Sequence, residues 1–259
     1  MLKICSLIIT IVLLTIGIIS FQKRLWRDNS RLIYYSLNPL VLTSLDPVTD
    51  ELINVFLPDN LEIESVAGRG TWLASKISKA GTRTWITKSL EWHLAIVNLY
   101  HFDDLSIWDK TRYYNHKRTS VLKSINLVDT GLITLQKTTD GVEQYHLTPH
   151  WYLKGQDWFA STEIIKQGLA VSLVNSTSIS GLGARSARML ESMGIRVRQL
   201  TSTNDNLTKC RIFVSPTTAK LSGYRHINKT FGCEEVFDEK LDLDIKIELG
   251  QDIAKLLFG

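Results

Sequence analysis

The chain has 259 residues, a mass of 29.4 kDa and a formal net charge of +4. Apolar residues make up 44% and charged residues 22%, which excludes a disordered or low-complexity chain, and three cysteines exclude a disulfide-dense small scaffold. Since 30 basic side chains stand against 26 acidic ones, the pI near 8.9 gives no argument for nucleic-acid binding, and we expect no nucleic-acid partner.

The amino terminus is apolar over the length of a membrane span. Ile4 to Phe21 covers 18 positions without a charged residue. A helix of that length rises about 27 Å, close to the hydrocarbon core of about 30 Å. The run continues into Lys23, Arg24 and Trp26, which is typical of an interface anchor. We therefore expect an uncleaved single-span anchor over residues 1–27, with a cleaved signal peptide as the alternative.

The charges around this run predict an orientation. Lys3 and the terminal amine precede it, whereas more basic residues follow it, namely Lys23, Arg24, Arg27 and Arg31. By the positive-inside rule, this distribution places the body of the protein in the cytoplasm.

Short apolar runs separated by turn signals follow the anchor. Leu37–Leu45 and Leu52–Leu57 predict two strands, and Asp46–Asp50 between them predicts a hairpin turn. Lys88–Val97 has helical spacing. Three further strands are predicted at Ser124–Thr130, Gly131–Thr138 and Glu143–Leu147.

A basic and aromatic helix is predicted from about Ile107 to Lys123. Ser106 and Asp109 have the spacing of a capping box at its start. One interpretation is a surface for phosphates or membrane headgroups. The favoured interpretation is an amphipathic helix whose aromatic residues face the core and whose basic residues face water.

The carboxyl-terminal part alternates strands with helices, as expected for a small α/β unit. The predicted strands are Leu169–Val174, Ile195–Leu200, Cys210–Val214 and Ile245–Leu249, and the predicted helices are Leu182–Met193 and Thr217–Phe231. The turn before the first helix contains Asn175, Thr177, Gly181 and Gly183 and is a candidate ligand loop. Its glycine spacing lacks the third glycine of a dinucleotide fingerprint, so a plain strand-to-helix turn is the favoured interpretation.

No pattern of a metal or cofactor site stands out. The chain contains neither an HExxH helix nor a GxSxG elbow, and we expect no metal and no cofactor. Cys210 opens a predicted strand and Cys233 follows a predicted helix, so they either pair in an exported protein or stay two buried thiols.

The carboxyl-terminal unit resembles the LytR C-terminal domain. Leu169–Val197 is similar to its V-x-V-L-N-x-T-x-x-x-G-L-A strand and loop, alanine-rich helix and G-x-x-V segment, and Asp244–Asp252 is similar to its closing D-I-x-x-x-L-G-x-D strand. Gly183 stands where that pattern has alanine, and Lys246 lies inside the last strand.

The front half resembles the LytR-CpsA-Psr catalytic domain through Asn54–Glu64, Gly68–Gly70 and Ser75–Ile77. Members of that family transfer glycopolymers from a polyprenyl pyrophosphate carrier to peptidoglycan. Pro58 stands where the family's S-I-P-R-D strand has arginine, and Asp59 is retained. The resemblance implies a catalytically degenerate relative, with Asp59, Arg69, Lys76 and Arg112 as the candidate binding residues for phosphate or a lipid headgroup.

Together these features predict an α/β (α+β) fold with an amino-terminal transmembrane helix and two small mixed α/β domains. The expected units are a degenerate LytR-CpsA-Psr-like domain over residues 30–165 and a LytR C-terminal-like domain over residues 167–257. The expected function is non-catalytic binding or scaffolding at the bacterial cell wall, with the membrane and a cell-wall glycopolymer or polyprenyl-linked lipid as partners. The alternatives are an active glycopolymer phosphotransferase and a cytoplasm-facing nucleic-acid-binding regulator. The family architecture places the body outside the cytoplasm, against the charge distribution.

Overall fold

The computed structural model describes residues 15, 17–19, 21–26, 28–203 and 205–258, without the side chains of 256–258. Thr15 and residues 17–19 and 21–22 are helical. Among all these residues, no helix combines the length and the apolar content that a bilayer span requires. Most of the anchor predicted over residues 1–27 lies outside the described part of the chain.

Two five-stranded mixed sheets form the framework, together with two short hairpins. The strands are β1 Leu32–Ser36, β2 Val41–Asp46, β3 Glu51–Phe56, β4 Glu62–Glu64, β5 Thr71–Leu73, β6 Leu99–His101, β7 Val121–Asn126, β8 Ile133–Lys137, β9 Glu143–Leu147, β10 Ala170–Asn175, β11 Arg196–Ser202, β12 Arg211–Val214, β13 Glu234–Phe237 and β14 Ile245–Leu249. The helices are α1 Ala74–Ile77, α2 Arg83–Leu94, α3 Ile107–Thr119, α4 Pro149–Phe159, α5 Thr162–Gln167, α6 Leu182–Ser192, α7 Ser222–Phe231 and α8 Gln251–Phe258. The mixed α/β class is confirmed.

The first sheet has the strand order β6-β1-β2-β3-β7. β2 pairs antiparallel with β3 around the turn at Asp46–Asp50, as the sequence predicts. The first strand of that hairpin starts at Val41, later than the predicted Leu37, because a turn with a positive φ of 62° at Asn38 separates it from β1. β1 and β6 were missed; they pair in parallel at the edge of this sheet.

The second sheet has the strand order β11-β10-β14-β12-β13. β10 pairs in parallel with β11 and with β14, and β12 runs antiparallel to β14. α6 and β14 agree closely with the predicted Leu182–Met193 and Ile245–Leu249. The short edge strand β13 was missed.

Two predicted helices end or begin elsewhere. α3 ends at Thr119, because Ser120 takes an extended backbone with ψ of 143° and the chain then pairs with β3 as β7. Lys123 therefore lies in a strand. The predicted Thr217–Phe231 helix divides at Leu221, whose extended backbone separates a short 3₁₀ turn from α7.

One continuous hydrophobic core joins the two sheets. It contains Ile33 and Ile53 of the first sheet, Trp151 of α4, and Leu173 and Ile247 of the second. The predicted division at residues 165–167 falls at the end of α5, and the segments on its two sides bury their apolar faces against each other.

Candidate functional site

The four residues proposed for phosphate binding lie on several segments, two of which are neighbours. Asp59 and Lys76 are exposed on neighbouring segments, since the main-chain carbonyl of Asp59 accepts the N–H of Ser75 at 3.0 Å. Arg69 is exposed in a loop, and its guanidinium lies 5.4 Å from the ring of Trp85.

Arg112 belongs to a different part of the surface. Its guanidinium donates to the carbonyl of Asp28 at 2.9 Å and to Asn29 Oδ1 at 2.8 Å, and it lies 4.1 Å from the ring of Trp26. These contacts occupy its donors with the segment that precedes β1. No hydrogen bond or ion pair between described residues links Arg112 with Asp59, Arg69 or Lys76; its guanidinium is held by the segment before β1 instead.

The candidate ligand loop after β10 satisfies its own polar groups. Asn175 Oδ1 accepts from the main-chain N–H of Thr177 at 3.2 Å and from its hydroxyl at 2.7 Å, and Asn175 Nδ2 donates to the carbonyl of Ile179 at 2.9 Å. Both Asn175 and Thr177 are buried. Gly181 has φ of +81° at the amino-terminal cap of α6.

Close packing explains the second glycine of this loop. A Cβ at Gly183 would lie 3.0 Å from Leu200 Cδ1 and 3.3 Å from the Cβ of Asn175. Glycine therefore lets α6 approach β10 and β11. Asn175, Thr177, Gly181 and Gly183 thus form a strand-to-helix turn in which the side chains of Asn175 and Thr177 bond within the loop itself.

Cys210 and Cys233 form a disulfide with their Cα atoms 4.7 Å apart. That separation lies inside the limit of about 7 Å for such a bond. The bridge fastens the end of α7 to the start of β12, where the N–H of Glu234 also donates to the carbonyl of Cys210 at 2.9 Å.

An open cavity of about 980 Å³ lies between the exposed edge strand β7 of the first sheet and the exposed edge strand β11 of the second; we call it the inter-sheet cleft. The charged groups on its wall are Arg31, Glu51, Lys123, Asp157, Glu191, Arg196 and Arg198. They come from strands and helices of both halves of the chain, and no sequence motif connects them. The inter-sheet cleft is therefore not predictable from the sequence.

One wall of the inter-sheet cleft is a closed network of ions. Arg31 is buried and lies 3.3 Å from both Asp46 and Glu51, and Lys123 lies 2.5 Å from Glu51. Burial alone would raise the pKa of Glu51, but hydrogen bonds from Lys123 and Arg31 hold it below its ordinary value. The carboxylate therefore stays charged, and the guanidinium of Arg31 is fixed in place.

The opposite wall is less fully paired. Burial raises the pKa of Glu191 against the opposing effect of Arg188, and its carboxylate accepts from Gln156 Nε2 at 3.3 Å. Arg198 is exposed on the rim, and within the described residues its side chain forms no ion pair. The cleft thus offers a guanidinium at its rim and a half-buried carboxylate deeper in its wall.

The described residues contain no group of His, Cys, Asp or Glu arranged to hold a metal ion. No protein-family model, curated protein or solved structure matches the chain. The resemblance to the LytR-CpsA-Psr family rests on the quoted residues.

Proposed function

We propose that this chain is a membrane-anchored cell-envelope protein, related to the LytR-CpsA-Psr family, that binds an anionic cell-wall glycopolymer without turning it over. The inter-sheet cleft carries the proposal. It is an open cavity of about 980 Å³, and the exposed Arg198 at its rim suits a phosphate or carboxylate group. A polyprenyl-linked lipid bearing the same polymer presents the same anionic groups.

The disulfide between Cys210 and Cys233 supports a body outside the cytoplasm. Disulfides persist in oxidising compartments and are rare in the reducing cytosol. This argument opposes the charge distribution around the amino-terminal run. A phosphatase fused after Gly259 is expected to be active in the native host, and a fluorescent protein that folds only in the cytoplasm is expected to stay dark at the same position. The reverse pair of results would place the body in the cytoplasm.

The engagement of Arg112 by Asp28 and Asn29 supports binding without catalysis. Transfer from a pyrophosphate carrier develops negative charge on the leaving oxygens, and removal of one positioned donor costs about 10²–10³ in rate. Of the three candidate cations, Lys76 alone follows a residue that the described contacts join to Asp59, through the N–H of Ser75. Turnover of a polyprenyl-pyrophosphate glycan by the purified protein, abolished in Asp59→Ala, would contradict this part of the proposal.

Charge reversal at the rim tests the cleft directly. Purified full-length protein in detergent is titrated with isolated wall glycopolymer, and Arg198→Glu is expected to weaken binding roughly tenfold, equivalent to about 1.4 kcal/mol. Arg198 forms no internal ion pair among the described residues, so its replacement leaves the fold intact. Lys79→Glu, an exposed cation away from the cleft, is the matched control. An equal loss of affinity in both variants would show that the glycopolymer binds by general charge attraction. An unchanged affinity of Arg198→Glu would exclude the inter-sheet cleft as the binding site.

A further inference from the structure

An exposed apolar surface lies where α3 meets the amino-terminal helical residues. We call it the apolar corner, and it consists of Ile18, Ile19, Phe21, Ile107 and Trp108. Ile107 and Trp108 at the start of α3 are 68% and 45% exposed. The favoured expectation for α3, aromatic residues facing the core, holds for Tyr113 but not for Trp108 or Tyr114.

The two segments of the apolar corner contact each other directly. The indole N–H of Trp108 donates to the carbonyl of Gly17 at 3.2 Å. The rings of Trp108 and Phe21 meet edge to face with their centroids 5.9 Å apart. The start of α3 therefore lies beside the carboxyl end of the apolar run.

Asp109 fixes this arrangement. Its buried carboxylate accepts the main-chain N–H of Leu25 at 2.9 Å and of Trp26 at 3.1 Å, and it also accepts from the hydroxyl of Ser106 at 2.8 Å. The chain that leaves the apolar run is thus fastened to the first turn of α3. A membrane surface that contacts the carboxyl end of the apolar run therefore also contacts Ile107 and Trp108.

Cations flank the apolar corner. The guanidinium of Arg24 lies 4.0 Å from the ring of Phe21, and Lys23 beside it is exposed. Lys110, one turn along α3 from Ile107, lies 5.3 Å from the ring of Phe102. Amphipathic aromatic rings at headgroup depth, next to basic side chains, are the usual composition of protein surfaces at a bilayer interface.

We propose that the apolar corner inserts into the interfacial layer of a phospholipid bilayer, so that α3 gives the body a second membrane contact beside the amino-terminal anchor. The proposal rests on the proposed membrane anchoring. The bilayer is the occupant because 18 uncharged residues from Ile4 end at this corner and because its flank is cationic. With two contacts, the body holds one orientation relative to the membrane.

The tryptophans allow a specific test. Trp108 is 45% exposed, Trp72 is half-buried, and the remaining five tryptophans are buried, namely Trp26, Trp85, Trp92, Trp151 and Trp158. Full-length protein is reconstituted in vesicles of phosphatidylglycerol and phosphatidylethanolamine whose acyl chains carry bromine, a short-range quencher of indole fluorescence. We expect clear quenching of the wild type, loss of most of it in Trp108→Phe, and little change in Trp72→Phe.

The outcomes separate this proposal from the anchoring on which it rests. A protein that fails to associate with vesicles contradicts the anchor. A protein that associates, but is quenched equally with and without Trp108, overturns the membrane contact of α3 alone. A Trp108 that is shielded from an aqueous quencher but not quenched by brominated lipid, in a protein that crosslinks as a dimer, assigns the corner to a second copy and also overturns the proposal.

A second labelling position protects the test against a misfolded Trp108→Phe. Ile107→Cys in a Cys5→Ser background carries an environment-sensitive fluorophore at the corner, while Cys210 and Cys233 stay in their disulfide. The control is the Cys5→Ser background with Ile165→Cys in place of Ile107→Cys, which puts the fluorophore at an exposed apolar position on α5. In vesicles, we expect the emission of the fluorophore at position 107 to be shifted to the blue relative to that of the control. Identical spectra at the two positions would overturn the proposal.

Discussion

Arg185 of α6 forms a 2.7 Å ion pair with Glu64 of β4. The same guanidinium lies 4.7 Å from the ring of Trp92 in α2. One side chain of the second half of the chain thus contacts two elements of the first, directly above the shared core. The pair is half-exposed, and the stacked ring is buried.

Removal of Arg185 should therefore cost more than removal of its partner. We expect Arg185→Ala to lower the free energy of unfolding by about 1–2 kcal/mol, because cation–π contact and ion pair are both lost. Glu64→Gln removes only a half-exposed charge and should cost at most about 0.5 kcal/mol. Urea unfolding monitored by circular dichroism gives both values. Equal effects of the two variants would show that stacking on Trp92 contributes nothing.

Asp109→Asn should loosen the segment before β1. The carboxylate accepts from Leu25, Trp26 and Ser106, and an amide offers one acceptor oxygen where the carboxylate offers two. At least one buried N–H then loses its partner, at a cost of about 1–3 kcal/mol. Amide hydrogen exchange should speed up at residues 25 and 26. Asp129→Asn, an exposed acid outside this network, is the control and should change neither stability nor exchange.

The stability of the protein should fall between pH 7 and pH 5 because of His93. Burial, reinforced by the positive charges of Arg185 and His146, lowers the pKa of His93 from 6.5 to about 3. Its Nδ1 accepts the main-chain N–H of Glu64 at 3.1 Å, which requires the neutral ring.

The sign follows from proton binding. Below pH 6.5 the unfolded chain protonates this histidine and the folded chain does not, so acid favours unfolding until the pH reaches about 3. We expect a loss of about 1–2 kcal/mol from pH 7 to pH 5. His93→Asn keeps an acceptor near the position of Nδ1 without titrating and should flatten this slope, whereas the exposed His150→Asn should not. An unchanged slope in His93→Asn would show that other groups carry the pH dependence.

Reduction of the disulfide should destabilise the carboxyl-terminal sheet. The bond between Cys210 and Cys233 closes a loop with a sequence separation of 23 residues, which corresponds to about 3 kcal/mol in the chain-entropy model. Alkylation in denaturant should modify only Cys5 before reduction and all three cysteines after it. Modification of three thiols without reductant, in protein purified from its native compartment, would show that the bond does not form there.

The carboxyl-terminal unit was predictable because its local signals agree with its packing. The β10, α6 and β14 segments each carry a periodicity that their burial reproduces, and Gly194 ends the helix with φ of +97°. α4 was missed although Trp151, Gly155, Trp158 and Phe159 are buried at helical spacing on one face, because a glycine lies within that face and the exposed Leu153 lies on the other side.

The candidate site was less accessible to sequence reasoning. Asp59, Arg69, Lys76 and Arg112 were grouped by residue type and family resemblance, but tertiary contacts hold Arg112 against the segment before β1 and Arg69 beside Trp85. The inter-sheet cleft is lined by β7 and β11, which are edge strands of different sheets. Their relative position depends on how the two sheets pack on the shared core. The same limit applies to Trp108, whose hydrogen bond to Gly17 joins two segments that are far apart in the sequence.

The place of β14 in the second sheet imposes an order on biosynthesis. β10 and β12 do not pair with each other; both pair with β14, which lies between them although it follows them in the chain. A nascent polypeptide that has emerged only as far as Cys233 already contains both cysteines of the disulfide. It still lacks β14, the central strand with which β10 and β12 pair. Completion of this half therefore waits until Ile245–Leu249 has left the ribosome or the export channel, and the rate of folding is governed by pairing between distant segments.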